Sequence, residues 1–250
     1  MSRKNELPDQ RQIVWRYMTF SRFIWLLQKK ALWLSRVDRL DDAWEMALAG
    51  AQLDHTLSHS PIQPIDSPPK EPPLERARRI IALWRKTTFV NCWSGFGPES
   101  HALWRVFCGP NEGIAIRTTL MALKESVPRL NVIRVTYREP GVFRVTPTRD
   151  ELISVKRKSF EYENEIRIIA TDETSDPAII PWELGLQVPF DFERSVHGVV
   201  VHPAADESFF DTVVGAVNQW APKLAHRVAW SHMREKPPLS IIWPWDNTSS

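Results

Sequence analysis

The stretch S-F-E-Y-E-N-E-I-R-I-I-A, Ser159–Ala170, sets Glu161, Glu163 and Glu165 at every second position and follows them with Arg167 among isoleucines. Side chains alternate faces along a strand. This spacing therefore predicts one strand with Glu161, Glu163, Glu165 and Arg167 on one side and Phe160, Tyr162, Ile166 and Ile168 on the other. Successive glutamates would stand about 7 Å apart, close enough to repel. Two explanations fit. The strand is half-exposed and Arg167 pairs with Glu165 for little net energy, or a carboxylate pair sits at the mouth of a cleft and stabilises positive charge developing on a sugar. The spacing alone does not choose between them.

The flanking sequence extends the strand into a sheet. Q-I-V-W-R-Y-M (Gln12–Met18), A-L-W-L-S-R-V (Ala31–Val37), T-F-V-N-C-W-S (Thr88–Ser94), E-G-I-A-I-R-T and N-V-I-R-V-T-Y are rich in β-branched and aromatic residues and read as strands. Phe20, Phe23, Ile24, Leu27 and Ala31 recur at helical spacing behind a cap at Thr19 or Ser21. Helices are also predicted over Arg39–Leu57, with Asp41 and Asp42 at its start, over Leu74–Lys86 and near Thr119–Ser126. S-V-H-G-V-V-V-H-P, then the periodic Phe209, Phe210, Val213, Val214 and Val217, then A-H-R-V-A-W-S-H form a closing β-α-β unit. The expected fold is α+β: a single domain over 1–250, core about 12–236, with a mixed, mainly antiparallel sheet flanked by helices. Six prolines between Pro61 and Pro73 predict an exposed extended loop, and 237–250 an irregular tail.

Composition narrows the class of function. Thirty-two basic against 30 acidic residues give a formal charge of +2, which makes no global case for a nucleic-acid or membrane-surface protein. Two cysteines, Cys92 and Cys108, are too few for a disulfide framework and lack zinc-site spacing. With no signal-like or spanning apolar run, the expectation is a cytoplasmic protein with no membrane partner. His55 and His59 have i, i+4 spacing but no glutamate between them, and no metal is expected. His197 and His202 flank a buried strand and read as structural. G-F-G-P is too poor in glycine for a dinucleotide loop, and neither G-x-S-x-G nor a P-loop occurs.

Lys156, Phe160, Tyr162, Glu163, Glu165 and Arg167 spell K-x-x-x-F-x-Y-E-x-E-x-R. This resembles the signature of an uncharacterised bacterial family related to AbiGi-type abortive-infection proteins. L-W-L-S-R-V-D-R-L-D-D-A-W-E, Leu32–Glu45, is similar to that family's strand followed by N-D-P-F-E: Asp42 and Glu45 are kept, while Asp41, Ala43 and Trp44 depart from it. Ser94, Trp104, Phe107 and Gly113 resemble its S-F-S and W-x-x-Y-x-x-x-x-x-G blocks, with Phe107 in place of the tyrosine. The likeness spans Val14 to Ala170, with an echo in the closing β-α-β unit. It implies an effector of phage defence or a toxin-like module.

The order of elements also resembles that of ADP-ribosyltransferases. The resemblance implies that NAD is bound, that Arg16, with Tyr17 beside it, meets the phosphate or ribose, that Ser94 supports the nicotinamide pocket, that Glu165 contacts the ribose 2′-hydroxyl, and that Glu163 activates the acceptor. Cleaving a nicotinamide–ribose bond develops positive charge that a positioned carboxylate stabilises, and an arginine fork matches phosphate oxygens. Lys156 is a further phosphate ligand and Trp104 a stacking platform in this scheme. Plainer roles fit the same residues: Arg16 as an edge-strand charge, Ser94 as a strand terminator, Trp104 and Phe107 as core, Lys156 with Arg157 and Lys158 as a solvated turn, and Asp42 and Glu45 as helix-start acids. Two other functions stay open. One is a sensor that binds nucleic acid or a phage protein through Arg76, Arg78, Arg79, Arg85 and Lys86. The other is a nuclease with Asp42, Glu45, Glu163 and Glu165 around magnesium. Expected partners are a protein or nucleic-acid acceptor or a neutralising protein.

Overall fold

The computed structural model describes residues 10–47, 72–139, 147–172 and 184–235. The predicted loop and both histidines of the His55 and His59 pair fall outside them, except that Pro72 is exposed and Pro73 opens a helix. Proline suits that first helical position because its missing N–H would have no intrahelical partner there.

Among the described residues there are eleven strands: β1 Ile13–Thr19, β2 Ala31–Arg36, β3 Thr88–Ser94, β4 Gly113–Thr119, β5 Asn131–Arg134, β6 Thr136–Tyr137, β7 Val155–Lys156, β8 Glu165–Thr171, β9 Gly185–Pro189, β10 Gly198–Val201 and β11 Val228–Trp230. The same residues form seven α-helices: α1 Phe20–Lys29, α2 Pro73–Lys86, α3 His101–Phe107, α4 Leu120–Ser126, α5 Arg149–Ile153, α6 Phe192–Ser195 and α7 Glu207–Trp220. The fold is mixed α+β, and its nine-stranded sheet runs β11-β10-β4-β1-β3-β2-β9, with β8 also on β3 and β5 on β8. Within this sheet only β10 and β11 pair parallel, joined by α7 in the predicted β-α-β unit. A short parallel pair, β6 with β7, stands apart.

The sheet's alternation is what sorts the side chains. Val14, Met18, Phe89, Trp93, Ile114, Ile116, Ile166 and Ile168 face a layer made by α1, α4, α6 and α7, which contribute Phe23, Leu27, Leu120, Leu123, Phe192, Val213 and Val217. On the opposite face α3 covers Trp15, Tyr17 and Ala115 through Leu103 and Trp104. Farther along that face, Val90 and Ile169 pack with Val37, Met46, Leu152 and Ile153. Both faces are buried, so β3 and β8 are apolar along most of their length, as expected of central strands.

The local chemistry of the ends departs from the sequence reading in several places. Thr19 precedes α1 without capping it, its hydroxyl lying 3.1 Å from that of Ser21. Lys30 ends the helix in the left-handed region, at φ 49°. The helix predicted from Arg39 does not form over the described residues to 47: a 3-10 turn covers Val37–Arg39, Asp42 accepts from the Trp44 N–H at 3.0 Å, and Met46 has φ 56°. Side-chain capping of a local turn competes with helix continuation, and a non-glycine at positive φ ends it. β9 and α5 carried too weak a pattern to be predicted. Among the described residues no helix is long and apolar enough to cross a membrane.

Candidate active-site cleft

β3 pairs with β8 along its whole length, from Thr88 opposite Thr171 to Ser94 opposite Glu165. Its other edge is divided. β2 meets only Phe89 and Val90, and β1 meets only Ser94. Residues 91–93 pair with neither, because β1 and β2 diverge there. Unpaired strand groups need other partners. Arg16 Nη1 donates to the Cys92 carbonyl at 2.5 Å, and Asn91 Nδ2 donates to the Trp33 carbonyl at 2.8 Å, so two side chains bridge the divergence. Asn91 in turn accepts from the Trp93 indole at 2.8 Å.

The divergence opens a cavity of about 450 Å³ whose walls include Arg16, Arg22, Trp25, Trp33, Ser35 and Asn91. Trp25 and Trp33 meet edge to face with centroids 5.8 Å apart. A Cβ on Gly185 would come within 2.5 Å of the Trp33 ring, so glycine is needed for β9 to pass behind it. Burial lowers the Arg16 pKa to about 10, with Cys92 opposing and Arg22 reinforcing the shift. The guanidinium remains a cation at neutral pH.

On the other side of Cys92 lies a closed network. Glu165, 2% exposed, receives Arg167 Nε on Oε1 at 2.8 Å and Arg167 Nη2 on Oε2 at 3.0 Å. Arg167, 0% exposed, also grips Glu45 at 2.9 and 2.6 Å and donates to the Ile153 carbonyl at 2.8 Å. All of its N–H donors are thereby engaged. Lys156 Nζ lies 2.6 Å from Glu163, 3.3 Å from Glu165 and 3.8 Å from Glu45, and 4.7 Å from the Phe160 ring centroid. The Tyr137 hydroxyl accepts the Glu165 N–H at 2.7 Å.

Two cations therefore face three carboxylates. Burial works against ionising Glu165, but Arg167 and Lys156, with a hydrogen bond from the Cys92 thiol, outweigh it and hold its carboxyl at about 2. Glu163 differs: its burial and the Glu165 charge outweigh Lys156 and push it up. The Cys92 thiol is also pushed well up, by burial and then by the Glu165 charge. It is no nucleophile at neutral pH.

The predicted strand face is thus corrected. β8 begins only at Glu165, residues Lys158–Glu163 form 3-10 turns, and Asn164 at φ 42° reverses the chain between them. Glu161 is exposed on that turn, and Glu163 reaches Lys156 from the turn rather than from the strand.

Of the residues picked from sequence, Ser94 and Glu165 are register partners on one face of the sheet. Arg16 alternates to the opposite side from Trp15, the partner of Ser94, and approaches Glu165 only by way of Cys92. Tyr17 and Trp104 do come together, at 5.0 Å and 84°, but as packing outside this cavity: the Tyr17 hydroxyl accepts the Ser100 N–H at 2.9 Å, and the Trp104 indole donates to Glu99 at 3.1 Å. Lys156 is surrounded by carboxylates and turned away from the cavity wall. Asp42 pairs with Arg157 at 2.7 Å, and Glu45 with Arg167. The D-D-A-W-E and E-x-E-x-R blocks therefore dock on each other through Glu45 and Arg167. Among the described residues no group of three or more His, Cys, Asp or Glu is placed to hold a metal.

The sequence reading missed Arg22, Trp25, Trp33, Ser35 and Asn91. One signal was available. Asn91 is a poor strand former in the middle of an otherwise apolar strand, and such a buried amide needs partners across a gap.

No protein-family model matches the chain, and no curated protein is similar to it. A solved structure of DarT from Thermus sp. 2.9 in complex with ADP-ribosylated ssDNA is similar, at 9% identity and a TM-score of 0.42, over 92% of this chain and 98% of that one.

Proposed function

We propose that the chain is a toxin-like effector of phage defence that binds NAD in the cleft between β1 and β2 and transfers or releases its ADP-ribose. The single observation that carries this reading is the interrupted ladder at residues 91–93, which sets the Arg16 guanidinium in the wall of a roughly 450 Å³ cavity. The volume lies within the ordinary range of small-molecule sites. Its lining fits a dinucleotide: Arg16 and Arg22 for the diphosphate, the Trp25 and Trp33 indoles for a ring, and Ser35 and Asn91 for hydroxyls and amide.

NAD supplies an activated glycosidic bond whose cleavage leaves positive charge on the ribose. This chain's part is electrostatic. Glu165 is ionised but is held by Arg167 and Lys156 on the opposite face of the sheet, outside the cavity wall, so its charge acts on the cleft only at a distance, across Cys92. Met18, Leu26 and Leu32 add apolar surface to the cleft wall. Arg78 and Lys86 on the exposed face of α2 are the candidate surface for an acidic acceptor, nucleic acid or protein.

Tryptophan-fluorescence titration with NAD, paired with an assay of released nicotinamide, tests the reading. Arg22→Ala should weaken NAD binding about tenfold while leaving stability within about 0.5 kcal/mol, because Arg22 is exposed. Neither binding nor consumption at millimolar NAD would end the proposal. A salt-sensitive nucleic-acid complex lost on Arg78→Glu, in a protein that ignores NAD, would favour a binding module instead.

A further inference from the structure

A second cavity, of about 310 Å³, lies where α3 meets the turn after β10, with His101, Trp104, Arg105, His202, Pro203 and Met233 in its wall. His202 is 2% exposed. Its Nδ1 accepts the Ala204 N–H at 3.0 Å, and its ring stands edge to face with Trp104 at 5.1 Å, so the imidazole is fixed in the wall. A neutral imidazole that accepts at Nδ1 carries its proton on Nε2. That Nε2 has no hydrogen-bond partner. A buried donor left unpaired costs about 1–3 kcal/mol and is uncommon in folded proteins.

The surroundings indicate what would satisfy it. His101 and Arg105 lie four residues apart, on one face of α3, and are exposed. His101, Arg105 and His202 share the cavity wall, and burial, then Arg105 and His101, lower the His202 pKa, which keeps the ring neutral. Glu99, the nearby carboxylate, is occupied by the Ser231 hydroxyl, the His232 N–H at 3.1 Å and the Trp104 indole. The ring presents an N–H rather than a lone pair, so it is disposed toward an anion and not a metal ion.

We propose that this cavity binds the phosphate group of a small molecule, with His202 Nε2–H, Arg105 and His101 as its donors. A phosphate supplies acceptor oxygens for the donors that His101, Arg105 and His202 bring to this wall, and Pro203 and Met233 line the rest of it. The site is separate from the β1–β2 cleft and shares none of its lining residues.

Imidazole 15N NMR of the full chain, titrated at constant ionic strength with inorganic phosphate and with ribose 5-phosphate, tests the assignment. The His202 Nε2 resonance should shift and saturate, and Arg105→Ala should weaken binding about tenfold. His202→Phe should abolish it. Arg105 is exposed, so its variant keeps the test valid if His202→Phe does not fold. Tighter binding of ribose 5-phosphate would assign the rest of the cavity to the sugar, and equal binding would assign the site to phosphate alone. Arg16→Ala should leave this titration unchanged, which separates the site from the NAD reading. A resonance that does not move up to ~50 mM phosphate, or Arg105→Ala binding as tightly as the unaltered chain, would overturn the proposal.

Discussion

The two sides of Cys92 use charge in opposite ways. Toward β1 and β2, Arg16 reaches a carbonyl at the edge of an open cavity, and Asn91 replaces a missing ladder bond. Toward the other face, Arg167 spends every donor on Glu165, Glu45 and a carbonyl, and Lys156 sits among three carboxylates. The first arrangement leaves polar groups and aromatic surface for a ligand. The second is saturated, and its role is to tie the residue 37–47 segment to β8 and to fix one carboxylate in its ionised form. A buried charge is informative about function only after its partners have been counted.

Three changes would break or sharpen this contrast. The largest effect is expected from Arg167→Met, which leaves Glu165 and Glu45 buried with Lys156 as their only remaining cation among the described residues. Destabilisation of about 3–5 kcal/mol in urea unfolding is expected, and a loss under about 1 kcal/mol would show that the network is not the saturated element described.

Acid comes next. The folded Glu165 pKa, about 2, lies below its ordinary 4.5, so its stabilising contribution is complete above about pH 4.5 and is lost as pH falls toward 2. The size is roughly 3 kcal/mol at about 1.4 kcal/mol per pKa unit. Glu163 opposes this, because its raised pKa favours folding once it is protonated. Urea midpoints measured from pH 5 to 2 should fall, and Glu165→Gln should flatten the slope. An unchanged slope in that variant would move the acid sensitivity elsewhere.

The smallest effect is expected at Asn91→Ala. This variant strands the Trp33 carbonyl and the Trp93 indole, both neutral, at a cost of about 1–3 kcal/mol. Solvent entering the neighbouring cavity should hold the loss to the low end of that range, measurable as a shift in the urea midpoint. A loss equal to that of Arg167→Met would erase the distinction between the two sides.

Much of the sheet was legible because periodicity reports on burial. β3 matches Thr88–Ser94 to the residue, and the closing β10-α7-β11 unit follows from an apolar run, a helical repeat and a second apolar segment. The E-x-E stretch misled for a physical reason. Alternation of Glu161, Glu163 and Glu165 is compatible with a strand, but Asn164 takes the left-handed conformation and divides it, and no short-range pattern reports that choice. The helix predicted from Arg39 failed similarly, because Asp42 closes a turn and then pairs with Arg157, which is distant in sequence.

By itself the sequence determined most of the central strands and the amphipathic helices α1 and α7, since these depend on side chains a few positions apart. The tertiary structure decided that Ser94 and Glu165 are register partners, that Arg167 joins Glu45 to Glu165, and that β1 and β2 part over Asn91 to open a cleft. Those facts arise from pairing between strands separated by tens of residues. The divergence of two strands from a third is a property of the whole sheet's twist and register, and no single strand encodes it.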